Sequence, residues 1–336
     1  MKGLLAAAAV VAILFAANAA FTGAWGSALA ISPYVLQVIC LAGINIILAV
    51  SLNLINGFTG QFSIGHAGFM AIGAYASAYV TATFGDRVRS VLSFLPGEAQ
   101  NGALLLLGLT VGAVLAAIAG FIVGVPSLRL RGDYLAIVTL GFGEIIRVFI
   151  LNIDAVGGAR GFSGIPKLSN FFWIYLFAAL TIVVVYRIVR SSFGRTLVAI
   201  REDEIAAEAM GVDTTRSKVI SFVVSSAMAG IGGGLFGHYL MYLHTNSFTF
   251  IKSIEIIIMI VIGGLGSITG SVVGAVLYIS LTEGLREFAQ YRMVAFSLLL
   301  IVIMIVRPQG ILGRREFASF LTRRRRLPTT PAAPLG

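Results

Sequence analysis

Charge is scarce in this chain. Only 11% of its 336 residues are Asp, Glu, Lys or Arg, against about 25% in water-soluble domains. A chain this poor in charge cannot cover a globule of its own size with polar surface. Soluble enzyme, nucleic-acid binder and disordered protein are excluded together. Cys40 is the single cysteine, which excludes an internal disulfide and a cysteine-based metal site. The three histidines, His66, His238 and His244, stand far apart, and no His-Glu-x-x-His helix is present. Gly-Lys-Ser/Thr does not occur, so the chain has no P-loop for ATP. Ser63 is flanked as Gly60-Gln-Phe-Ser-Ile-Gly65, which is not the G-x-S-x-G elbow of hydrolases. Any energy that this chain uses has to come from ions or from a partner chain.

What is present is apolar. Hydrophobic residues make up 58% of the sequence, before its 39 glycines are counted. Runs long enough for a bilayer, about 20 residues, extend over Leu4–Thr22, Tyr34–Ile55, Gln61–Phe84, Ala103–Val125, Tyr134–Leu151, Phe171–Val189 and Lys218–Met241. Shorter runs follow at Ile254–Gly264, Ser267–Leu281 and Val294–Val306. None alternates as a barrel strand does. All eight prolines are expected at helix ends or in connections, as uninterrupted helices require. The expected fold is an all-α, polytopic membrane bundle of about ten transmembrane helices. Most of the 24 Lys and Arg residues then fall on the side shared by both termini, which makes that side cytoplasmic. Lys2 and Ala17-Asn-Ala-Ala20 also fit a cleavable signal peptide. Residues 1–313 form the transmembrane body, and 314–336 form a basic, Pro- and Thr-containing tail suited to anionic headgroups.

Three stretches carry unusual chemistry. The longest polar connection, 193–212, spaces Leu197, Ile200, Ile205, Ala209 and Met210 as in a short amphipathic helix that Gly211 can stop. It fits a partner's groove or a resting place on lipid, and its acidic Glu202, Asp203, Glu204 and Glu208 disfavour anionic lipid. The join at 51–68 holds Asn53, Asn56, Thr59, Gln61, Ser63 and His66. It reads either as an ordinary turn at the water boundary or as a broken helix bordering a pathway. Glu144 and Arg147 share a helix face inside an apolar span, and either compensate each other or line a route. Asp133 fits a span boundary, whereas Glu255 and Glu283 fit span ends or interior. Glycines four apart, among them Gly230/Gly234 and Gly266/Gly270/Gly274, mark close helix contacts. The stretches 44–75 and 254–281 share a pattern of apolar run, glycine-rich turn and small-residue helix, which suggests an internal repeat.

In combination these features resemble the LivM-type permease subunits of branched-chain amino acid ABC transporters, along nearly the whole chain. The resemblance rests on Asn53-Leu-Ile-Asn-Gly-Phe-Thr-Gly60 and Gly65-His-Ala-Gly68, and on Arg131-Gly-Asp-Tyr-Leu-Ala-Ile-Val-Thr-Leu-Gly-Phe-Gly-Glu-Ile-Ile-Arg147. Gly161-Phe-Ser-Gly-Ile-Pro166, Ala199-Ile-Arg-Glu-Asp-Glu-Ile-Ala-Ala-Glu-Ala-Met-Gly211 and Gly263-Gly-Leu-Gly-Ser267 complete the set. It implies a bacterial inner-membrane importer in which this chain pairs with a second, related permease. Two ATPase subunits would carry ATP and Mg, and a soluble binding protein would deliver the ligand. No cofactor is expected on this chain, and its other contact is membrane lipid.

The resemblance makes 193–212 the ATPase-coupling helix, with Leu197, Ile200, Arg201, Glu204, Glu208, Met210 and Gly211 as the contact set. The general Glu-Ala-Ala-x-x-x-Gly pattern of such helices is altered, because Ile205 precedes Ala206-Ala207. Asn53, Asn56, Gln61, His66, Glu144 and Arg147 are the pathway candidates. An aspartate at Ile200 is expected to stop ATP-driven uptake without unfolding the bundle. An ion-coupled secondary transporter and a urea or amide permease are the rival functions. A membrane enzyme fits less well, since no paired-carboxylate or His/Cys cluster is evident.

Overall fold

The computed structural model describes residues 11–18, 21, 32–93, 96–128, 133–307, 309–311 and 313. Most of the first expected span, residues 129–132 and the basic tail from Arg314 lie outside the described residues. Residues 11–18 are helical (α1). There follow α2 (Pro33–Asn53), α3 (His66–Val91), α4 (Gly97–Ser127), α5 (Asp133–Leu151) and α6 (Phe171–Arg190). Two short helices, α7 (Ser192–Glu202) and α8 (Glu204–Ala209), lead into α9 (Thr214–Leu240), α10 (Phe250–Gly263), α11 (Ile268–Gly284) and α12 (Arg292–Val306). Among the described residues the one β feature is an isolated antiparallel bridge between Phe162 and Leu243.

Helix starts have local causes. Ser32 accepts from the Val35 amide ahead of Pro33 at the first helical position. Asn170, Asp213 and Ser267 cap α6, α9 and α11 in the same way, satisfying amides that the helix itself cannot. Among the described residues, six stretches are long and apolar enough to cross a membrane: Pro33–Phe58, Gly97–Ser127, Tyr134–Leu151, Phe171–Arg190, Thr214–Leu240 and Thr245–Gly263. The apolar parts of α11 and α12 are shorter. Two expectations change. The helix expected from Gln61 begins at His66, because 59–65 are non-helical. Pro126 lies inside the last turn of α4, where it cannot donate to the carbonyl four residues earlier and the helix stops one residue later.

Glycine sets how closely α3, α4 and α9 cross. A Cβ on Gly73 would stand 2.2 Å from the Gly230 Cα, and one on Gly112 would stand 2.7 Å from the Gly73 carbonyl oxygen. One on Gly230 would stand 2.7 Å from the Ala116 Cβ. Gly234 meets Leu109 and Ser77, while Gly270 and Gly274 meet the α10 backbone at Gly263 and Met259. Gly266, expected in a helix face, sits instead in the turn before α11 with φ +79°. The second half of α2 is buried from Ala42 to Asn53 and packs against α6, α9, α10 and α11.

Gly230→Leu forces the three-helix crossing apart, an overpacking expected to cost several kcal/mol because backbone, not a flexible side chain, must move. Gly141 has open space around its Cβ position, so Gly141→Leu is the control. Size-exclusion of the two variants in mild detergent should show a monodisperse peak lost for the first and kept for the second.

Candidate functional site

Two breaks interrupt the bundle, one at each end. The first follows α2. The helix widens into a π turn, Leu54–Phe58, and then runs non-helically to Gly65. Its polar groups are held by side chains. Asn56 donates to the Ser63 carbonyl at 3.2 Å and accepts from the Ser63 amide at 3.1 Å. Thr139 of α5 accepts from the Ile64 amide, and Ser253 of α10 accepts from the Ala67 amide, each at 3.1 Å. His66 Nε2 lies 2.9 Å from Ser51 Oγ and is buried. The 51–68 join is therefore a broken helix within the fold rather than a simple turn.

The second break follows α9. Met241 takes the left-handed conformation, and Leu243 exchanges both backbone hydrogen bonds with Phe162 at 2.7 and 2.9 Å. Residues Thr245–Phe248 then form a 3-10 turn whose Thr245 and Phe248 are buried. The Phe250 amide, at the start of α10, donates to Glu144 Oε1 at 3.2 Å. Glu144 lies two turns below the Leu151 end of α5, about 10 Å at ~1.5 Å per residue. Helix α10 therefore starts inside the bundle.

At the opposite end the first break meets the turn before α11. Asn53 Oδ1 accepts from the Gly266 amide and Asn53 Nδ2 donates to the Ser267 carbonyl, both at 2.9 Å. A Cβ on Gly57 would lie 2.3 Å from the Gly266 nitrogen, so no other residue fits there. Arg201 of α7 completes the junction. Its guanidinium donates to the Gly57 carbonyl at 2.9 Å, and its stem lies over Gly60. The two glycine-rich turns suspected of internal symmetry thus touch each other, and Arg201 clamps them.

The 193–212 stretch is two helices, not one. Asp203 is extended and caps the amides of Ile205 and Ala206. Leu197 and Ile200 are 0% and 3% exposed; they hold α7 onto the bundle and are not available to a partner. Ile205 and Met210, at 67% and 84%, form the exposed apolar face. Glu204 pairs with the buried Lys218 of α9 at 2.6 Å, Glu208 accepts from Thr214 Oγ1 at 2.7 Å, and Gly211 ends α8 with φ +83°. An aspartate at Ile200 would consequently disturb folding as well as contact.

Among the pathway candidates, Asn53, Asn56 and His66 are committed to these internal hydrogen bonds, and Gln61 is half-buried. Glu144 pairs with Arg147 at 2.7 Å. The space that Glu144 borders is about 10 Å³, at the limit for one water. The roomier polar cavity lies elsewhere. It holds about 180 Å³ between α2, α3, α9, α10 and α11, and its polar lining includes Asn45, Lys252 and Glu255. Lys252 pairs with Glu255 at 3.0 Å and approaches Asn45 Oδ1 at 3.4 Å. The apolar run starts only at Ile254, and the tertiary path of 244–250 carries Lys252 inward. Among the described residues no group of three or more His, Cys, Asp or Glu side chains could hold a metal ion.

Comparison with known proteins accounts for this architecture. A family described as the branched-chain amino acid transport system / permease component matches residues 34–307. The chain belongs to this permease family. It is 38% identical over 304 residues to the "High-affinity branched-chain amino acid transport system permease protein LivM" of Salmonella typhimurium, covering 80% of this chain and 68% of that one. It is 36% identical over 317 residues to the Escherichia coli K12 protein of the same name, covering 84% and 71%. The Escherichia coli K12 "High-affinity branched-chain amino acid transport system permease protein LivH" is 33% identical over 166 residues, 48% of this chain and 53% of that one. No solved structure matches. The permease is thus a multi-pass membrane transport component rather than an enzyme.

The Glu204–Lys218 pair makes an asymmetric prediction. Lys218 has 1% of its side chain exposed and Glu204 23%. Glu204→Ala strands a buried ammonium and should destabilise by about 3–5 kcal/mol. Lys218→Met leaves a carboxylate that water reaches and should cost far less. Thermal melting of the two purified variants checks the order.

Proposed function

We propose that this permease is one half of a paired permease in an ATP-driven importer of branched-chain amino acids, placed in a bacterial inner membrane with the α7–α8 end cytoplasmic. The second half is a related permease of the kind its LivH-type relatives represent. Two ATPase subunits, which hold ATP and Mg, dock on α8, and a soluble binding protein delivers ligand at the other end. The observation that carries this reading is the Arg201 clamp. It joins the only helix pair lying outside the bundle, among the described residues, to both glycine-rich turns.

Mechanism follows from those connections. A displacement of α8 passes through the Glu204–Lys218 pair to α9 and through Arg201 to the turns after α2 and before α11. Helices α3, α4 and α9 move against one another at crossings where glycines bring their backbones into contact. The two breaks then open and close in alternation, the rigid-body change expected of a transporter. The contact surface moves from Leu197 and Ile200 to Ile205 and Met210, with Glu208 beside them.

Purified complex in proteoliposomes provides the test. Wild type should take up radiolabelled L-leucine only with ATP and binding protein. Ile205→Asp with Met210→Asp should lower uptake about tenfold or more, as for a central apolar contact, while melting as wild type does. Uptake by this chain alone in response to an ion gradient, or full uptake by the double variant, would overturn the assignment. Arg201→Ala should retain ATPase subunits on purification yet lose most uptake, because it severs the clamp and leaves the docking face intact.

A further inference from the structure

The cavity containing Lys252, Glu255 and Asn45 stands apart from the residues that the coupling scheme uses. It is lined by five helices and holds about 180 Å³, below the roughly 300–1,000 Å³ of drug-sized pockets and suited to a small ligand. One part is charged: Lys252 and Glu255 pair at 3.0 Å, with their side chains only 20% and 19% exposed. The buried Asn45 amide lies beside the ammonium. The remaining wall includes Ile44, Phe236 and Ile279, which is apolar and branched or aromatic. Ionisable groups at such depth are costly and need a use or a partner. An (i, i+3) pair satisfies each charge once, and both keep further hydrogen-bonding capacity, since an ammonium has three donors and a carboxylate about four acceptor sites.

We infer that this cavity is a transit site for the ligand itself, a zwitterionic amino acid with an apolar side chain. Lys252 and Asn45 receive the α-carboxylate, Glu255 receives the α-ammonium, and Ile44, Phe236 and Ile279 receive the side chain. The paired charges open to a ligand that brings the complementary pair, so no net charge is buried on binding. A single cation or anion lacks that compensation and is disfavoured. The second break supports the placement. It starts α10 inside the bundle, and the Phe248 ring in that break packs on Phe236 of the cavity wall at 6.0 Å. The site deepens the importer reading and rests on it: the permease itself, and not the binding protein alone, discriminates among ligands.

The direct experiment needs no transport. Wild-type complex, purified without the soluble binding protein, is melted with increasing L-leucine, and in parallel with isoamylamine and with isocaproate. Leucine should raise the melting temperature, with both single-charge analogues much weaker. Lys252→Met and Glu255→Gln should each abolish the shift and lower ATP-driven leucine uptake about tenfold or more. The exchange Lys252→Glu with Glu255→Lys rebuilds an ion pair but reverses the ligand's orientation against the apolar wall, so uptake should remain low. A wild type that leucine does not stabilise, single variants within about twofold of wild type, or recovery by the exchange would each overturn the site. ATP-driven uptake by wild type would meanwhile keep the importer assignment standing. Should a charge variant fail to fold, Ile279→Phe fills the cavity: loss of the leucine shift supports the site, and its retention overturns it.

Discussion

A backbone amide or carbonyl left without a partner in hydrocarbon costs several kcal/mol. That penalty governs the two breaks in the bundle of this permease. The chain leaves α-helical geometry at 54–65 and again at 241–249, and at both places side chains and distant backbone take over. Asn56, Thr139 and Ser253 serve the first break. Leu243 with Phe162, and Glu144 with the Phe250 amide, serve the second. Asn53, Asn56, His66 and Glu144, pathway candidates in the sequence, make hydrogen bonds that support the breaks. Support and function are nevertheless linked, because a break held by a few side chains is where a bundle can change shape without unfolding.

Close packing supplies the second half of that argument. Where glycines of α3, α4 and α9 meet, backbone touches backbone, so the crossing is stabilised by dispersion and tolerates no added atom. Between the glycines, side chains of α3 and α9 also meet, as the Phe69 and Phe222 rings and the Ser77–His238 hydrogen bond do. The Arg201 clamp and the Glu204–Lys218 pair are the opposite kind of contact: directional, charge-assisted and few. Directional links at one end and a close-packed crossing through the middle let a small displacement pass along the bundle as a rigid-body movement.

Much of the fold was legible in the sequence because hydrophobic run length is a local property. The apolar stretches after Leu4–Thr22 coincide with helices within a few residues. The family motifs, the absence of a P-loop and the glycine spacings at Gly230, Gly234, Gly270 and Gly274 were legible for the same reason. What failed were readings that needed to know which side of a helix faces inward. Leu197 and Ile200 have the same character as Ile205 and Met210, yet the first two are buried and the latter exposed. Gly266 keeps the four-residue spacing of a packing glycine but serves a turn, where its left-handed backbone and the Gly57 contact decide its role.

The sequence by itself determined the class of molecule. Too little charge to face water, runs matched to a bilayer and small residues at helical spacing allow little besides a multi-pass helical bundle. Only the tertiary structure decided where the chemistry sits. It drew Lys252 inward by bending 241–249 into the bundle, brought Asn45 to it from two hundred positions earlier, and split the expected 193–212 helix at Asp203. Long-range contacts of this kind are selected by the packing of whole helices, whose energy depends on all faces together. No local pattern of residues encodes them.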